Sequence, residues 1–176
     1  MEDLVSSDTA RLAYFAVCQC AKKTSERGTS LDMSLDQRRS RIERCLQTCI
    51  EQMLKRHEMV FTGMMSRLAI NRSVNFRLGF SHIADELLKD PVSWSKIVTL
   101  FAFGARLGQH CREKHQTELE EEIAANLAAF ANERISPFVR EQGGWVRIGS
   151  DNTRCDNRYR YDINIVSGYS VSSFST

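Results

Sequence analysis

The chain has 176 residues, 42% of them hydrophobic and 26% charged, with a formal net charge of +2. One domain fits this length, and the near-balance of charge argues against a general nucleic-acid binder. Gly and Pro together make 11 residues, about half the usual share, which argues against a turn-rich sandwich or barrel and for long helices.

No apolar run approaches the ~20 residues of a membrane-spanning helix. Met1, Glu2 and Asp3 offer no basic region ahead of an apolar one, so neither a secretory signal nor a membrane anchor is expected in this chain. Its six cysteines (Cys18, Cys20, Cys45, Cys49, Cys111 and Cys155) form no CxxC pair. A chain this long needs no disulfides, so a reducing compartment is expected.

Residues 1–7 read as a frayed end. Asp8 or Thr9 is placed to cap a first helix running to about Lys23, with Leu12, Phe15, Ala16 and Cys20 on its apolar side. Thr24 to Ser34 is polar, contains Gly28 and reads as a connector. Asp36 is a candidate cap for the next helix. There Ile42, Leu46, Cys49, Ile50 and Met53 make one apolar stripe, continued through Phe61, Met64, Met65 and Leu68. A break is expected near Ile70–Ser73. Phe76, Phe80, Ile83 and Leu87 mark another amphipathic helix, which Pro91 ends.

Ser93 is well placed to cap the following helix. From Ile97 to Ala105 nearly every residue is apolar, with Thr99 and Gly104 the exceptions. A helix apolar all round is buried all round, so a central helix wrapped by amphipathic ones is expected. Gly104 and Gly108, four apart, lie on one face of it, where a second helix can approach closely. Glu118 to Glu122 suits a helix N-terminus, continued by Leu119, Ile123, Leu127 and Phe130. Pro137 can begin a short helix, and Gly143-Gly144 breaks the chain before Trp145. Residues 1–149 thus read as one all-α domain. Residues 150–176 read as a polar tail, either disordered or, from the alternation of Tyr159, Tyr161, Ile163 and Ile165 with polar residues, a weak hairpin.

Chemistry-bearing patterns are scarce. Cys18 and Cys20 with Cys45 and Cys49 could be imagined as a zinc site, but cysteines on apolar stripes are usually core. His57, His82, His110 and His115 lack ligand spacing. No nucleophile elbow and no phosphate loop occurs. Neither an enzyme nor a cofactor nor a metal is therefore expected. Met53, Met59, Met64 and Met65 cluster closely. Methionine adapts to varied partners, yet spacing alone favours core filling.

The segment Glu86-Leu-Leu-Lys-Asp-Pro-Val-Ser-Trp-Ser-Lys-Ile-Val-Thr-Leu-Phe-Ala-Phe-Gly-Ala105 resembles the first homology motif of the Bcl-2 family of apoptosis regulators, a pattern near ELFxDGVNWGRIVxxFxFGG. Gln142-Gly-Gly-Trp145 resembles the start of the second. Arg56-His-Glu-Met-Val-Phe-Thr-Gly-Met-Met65 is similar to the region after the third motif in the myeloid-cell-leukaemia (Mcl) branch. The resemblance spans about residues 8 to 145.

The resemblance implies a bundle with a buried central helix and a hydrophobic surface groove. In pro-survival members that groove takes the amphipathic death helix of a pro-apoptotic relative. Carried over by motif, the groove is expected to be lined by Met53, Phe61, Met64, Leu68, Phe80, Ile83, Leu87, Leu100 and Phe103. Lys96 stands where the family has arginine and is expected to pair with the ligand's aspartate, without the bidentate fork. Ser93 stands for asparagine and Ser95 for glycine, and Asp90 is a candidate for a basic residue of the ligand.

The chain's own third motif, Leu46-Gln-Thr-Cys-Ile-Glu51, puts Ile50 where the family's ligand form LxxxGD has glycine. That makes it a poor ligand and favours a pro-survival receptor acting from the cytoplasm at the mitochondrial outer membrane. Autophagy regulators with a similar helix are a second class of candidate partner. The rival readings are a membrane-active, pro-apoptotic effector of the same fold and a member without ligand binding. After Trp145 the second motif departs from the family, with Val146-Arg-Ile-Gly149 in place of an acidic residue and an apolar helix.

Overall fold

The structure is a computed structural model that describes residues 2–19, 33–68, 75–89 and 91–150. Helix α1 (Glu2–Tyr14) runs into a π-helical turn, Phe15–Gln19. There follow α2 (Met33–Arg56), α3 (Glu58–Arg67), α4 (Asn75–Leu87), α5 (Trp94–Glu113), α6 (Thr117–Arg134), α7 (Ser136–Glu141) and α8 (Val146–Ser150). The protein is all-α, as its sequence leads one to expect. No strand occurs among the described residues.

Helix α5 is the axis of the bundle. Every residue from Ile97 to Ala105 is buried, as an unbroken apolar stretch demands. The Ser93 side chain accepts the Lys96 backbone N–H at 3.4 Å, capping the helix at the expected position. Helices α2, α6 and the π-helical turn pack directly on α5, and α1 lies mainly along α6. Where α5 meets the π turn, the backbones come into contact. A Cβ built on Gly108 would stand 2.1 Å from the Val17 carbonyl oxygen, and one on Gly104 would stand 2.7 Å from Leu127 Cδ2. The small-residue face expected from the spacing of four is therefore occupied. Arg112 Nη1 donates to Val17 O at 2.8 Å and also binds Glu120 on α6. A π turn disturbs the regular carbonyl pairing of the helix, and this guanidinium supplies a donor there.

Three boundaries differ from the expected ones. The first helix begins at Glu2, so Thr9 is interior rather than a cap. Its hydroxyl donates back to Val5 O at 2.7 Å and accepts the indole N–H of Trp145 at 2.9 Å, a tertiary role that removes it from capping. The second helix begins at Met33, ahead of Asp36. The long apolar stripe is also not one helix: α2 stops at Arg56, and His57 turns the chain into α3. By contrast α6 opens with acidic residues in its first turn, α7 carries Pro137 at its start, and Gly143 and Gly144 hold φ of 87° and 92° before Trp145. Cys45, Cys49 and Cys111 are buried. Cys20, Lys23, the Thr24–Ser34 connector up to Asp32, the Ile70–Ser73 break and the tail beyond Ser150 lie outside the described residues.

Candidate functional site: a buried apolar seam

The nine apolar residues expected to line a groove come from α2 (Met53), α3 and its end (Phe61, Met64, Leu68), α4 (Phe80, Ile83, Leu87) and α5 (Leu100, Phe103). The structure brings all nine into one buried cluster. All are almost wholly withdrawn from water. The most exposed of them, Ile83, shows only 8% of its surface. Phe80 stacks on Phe103 with centroids 6.1 Å apart and planes within 10°. Leu68 packs so close to α4 that a Cβ on Gly79 would meet its Cδ2 at 3.0 Å. The Thr99 hydroxyl donates to Ser95 O at 2.9 Å and lies 3.9 Å from the Met53 sulfur, which ties α2 to α5. Two large apolar side chains on the flanking helices do face water: Met59 of α3, 83% exposed, and Leu78 of α4, 69% exposed.

At the start of α5 the polar candidates separate. Ser93 is the cap and is half-buried; Ser95 is buried and faces inward. Lys96 is half-buried, and its ammonium donates to Lys89 O and, at 2.7 Å, to Pro91 O. It thereby ties down carbonyls in the link that follows α4. An ammonium has three protons, and among the described residues two of them are given to these carbonyls. Asp90 lies outside the described residues.

Trp94 beside Lys96 anchors the link to the C-terminal elements. Its ring meets Phe138 edge-on at 5.5 Å and Trp145 at 5.8 Å, and Trp145 also meets Phe101 at 5.7 Å. Thr9 and Ser136, with hydroxyls 3.2 Å apart, complete the polar side of this cluster. Sequence reasoning gave Thr9 a capping role instead and missed Ser136, because a hydroxyl's distant partner leaves no local signal.

His57, at the joint between α2 and α3, has a buried Nε2 without a hydrogen-bond partner among the described residues. Burial, aided by the neighbouring Arg56 charge, pushes its pKa below the ordinary 6.5. Cys111 is pushed the other way, up to about 11, by burial and by the Glu120 carboxylate, against a smaller opposing effect of Arg112. A thiol so held is a packing group rather than a nucleophile. Among the described residues no cluster of His, Cys, Asp and Glu is arranged to hold a metal ion. No helix among them is long and apolar enough to cross a membrane.

A family model described as apoptosis regulator proteins, Bcl-2 family, matches residues 46–145, which includes α3 to α7 and all nine residues of the seam. The chain belongs to the Bcl-2 family. Human Bcl-2-like protein 1 is 30% identical over 106 residues, covering 58% of this chain and 45% of that protein. Chicken Bcl-2-like protein 1 is 26% identical over 120 residues, 68% and 52% of the two chains. The chain thus spans about half the length of these Bcl-2 family relatives. Among solved structures, chicken BOK superposes with a TM-score of 0.68 at 17% identity, covering 86% of this chain and 98% of that one. That likeness is one of fold.

Proposed function

We propose that this Bcl-2 family chain is a pro-survival regulator that sequesters the amphipathic death helices of pro-apoptotic relatives at the mitochondrial outer membrane. The observation that carries the reading is the near-intact first homology motif, Glu86–Ala105, beside a third motif unsuited to act as a ligand. In that third motif Ile50, 1% exposed, fills the position that in a ligand helix must be small. The seam supplies the apolar lining. The ligand helix opens it by lifting α3 and α4, which pack on α5 less extensively than α2 and α6 do. Its apolar anchors then replace the contacts among Met53, Met64, Phe80 and Phe103. Lys96 takes the ligand's aspartate with its ammonium. The similarity of Arg56–Met65 to the Mcl branch supports a place near that branch, and autophagy regulators bearing such a helix fit the same seam.

Calorimetric titration with a panel of death helices tests the reading. Sub-micromolar binding that weakens when the ligand's aspartate becomes alanine supports it, and Lys96→Glu should weaken binding about tenfold or more. A folded chain that binds none of the panel contradicts it. The second reading, a membrane-active effector, draws on the all-round apolar character of α5. Dye release from liposomes after exposure to a death helix would favour it.

A further inference from the structure

An open cleft of about 420 Å³ lies where the starts of α1 and α2 meet the α7–α8 turn, and none of its lining residues belongs to the seam. Its floor is apolar: Val5, Ile42, Trp145 and Val146. The Trp145 N–H is already given to Thr9, so the indole offers the cleft only its ring. Gly143 and Gly144 form part of the wall, and nothing lies within 4 Å of where their Cβ atoms would be, which leaves the backbone approachable there.

The rim is basic. Among the described residues, Arg38, Arg39 and Arg140 line it against a single carboxylate, Asp8. Asp8 already has Arg11 at 3.3 Å and Arg39 at 4.0 Å. Arg140 donates to the Ser6 hydroxyl at 3.2 Å, and Arg38, on the exposed face of α2, has no ion-pair partner among the described residues. Positive charge in surplus over an apolar floor selects an occupant with carboxylates flanking an apolar side chain. Guanidinium forks match carboxylates bidentately, and arginine with tryptophan is the composition of peptide-binding hot spots. The volume falls in the range of ligand pockets, enough for a few side chains but not for a whole helix.

We propose that this cleft docks an acidic, amphipathic segment of a partner protein, with an apolar side chain over Ile42 and Trp145 and carboxylates on Arg38 and Arg140. The site is separate from the seam and its occupant does not need a death helix.

A labelled peptide of alternating glutamate and leucine, titrated into the full chain and followed by fluorescence anisotropy, tests this. Saturable binding is expected, weakened about tenfold or more by Arg38→Glu with Arg140→Glu and by replacing the peptide's glutamates with glutamine. Lys96→Glu should leave it unchanged. The Trp145 indole and the Gly143 and Gly144 amides should shift in nitrogen-15 spectra. The proposal is overturned by absence of saturation, or by binding that ignores both the arginine reversals and the glutamine peptide. Displacement of the probe by a synthetic peptide of residues 151–176 would instead assign the cleft to the chain's own tail. A dimer that the arginine reversals dissolve would assign it to a second copy.

Discussion

At the scale of single residues, Gly108 is the position least open to change. A methyl group there would stand 2.1 Å from Val17 O and 2.9 Å from Val17 C, and both are backbone atoms that cannot swing away. Gly108→Ala should cost about 3 kcal/mol in chemical denaturation, the upper end of overpacking costs. Gly63, in α3, has nothing within 4 Å of its Cβ position. Gly63→Ala should therefore stabilise by about 0.5–1 kcal/mol through helix propensity alone. The spacing of Gly104 and Gly108 was readable in the sequence as a close-approach face, but the partner was not, since Val17 lies far away in the chain. His57 gives a pH dependence. Its folded pKa is depressed, so its contribution to stability is present above 6.5 and is lost as pH falls through the lower folded value. Glu43 acts in the opposite sense. Burial raises its pKa from 4.5 against the pull of Arg11 and Arg39, so its contribution is lost as pH rises through that raised value. Urea midpoints across mildly acid pH should thus fall less steeply for His57→Gln than for the parent, and parallel curves would remove His57 from this role.

At the scale of elements, the turn between α5 and α6 closes on a residue in the left-handed region, His115 with φ of 55°. The Gln116 N–H returns to Cys111 O at 2.8 Å across it, a helix ending that ordinarily uses glycine. His115→Gly should raise stability by about 1 kcal/mol, read as a higher denaturation midpoint. Helix starts set by local chemistry were legible from the sequence: the Ser93 cap, the acidic opening of α6 and Pro137 at the head of α7. The start of α1 was not. Thr9 has the side chain of a cap but bonds to Trp145, 136 residues away. The joint at His57 was also hidden, because the apolar stripe runs on in register from α2 into α3, and the turn follows from how those helices lie on α5.

At the scale of the molecule, the bundle buries the apolar side chains of its candidate ligand surface. Periodicity and the motif were enough to gather the nine seam residues, since each sits on the inward face of its helix. Whether they form a cleft or a core depends on how closely α3 and α4 rest on α5, which no local pattern encodes. The arginine-rimmed cleft was equally illegible, being assembled from three separated stretches of chain. A seam that must open implies that buried groups change surroundings when a ligand helix enters. Methionine methyl groups report this directly, since Met53 and Met64 lie within the seam at 5% and 3% exposure while Met59 stands outside it. The most direct measurement is a carbon-13 methionine-methyl spectrum of the full chain titrated with a death helix. The Met53 and Met64 resonances should move in proportion to saturation, and Lys96→Glu should shift the titration to higher ligand concentration. Binding that leaves both methyls where they stand in the unliganded protein would contradict the seam as the site.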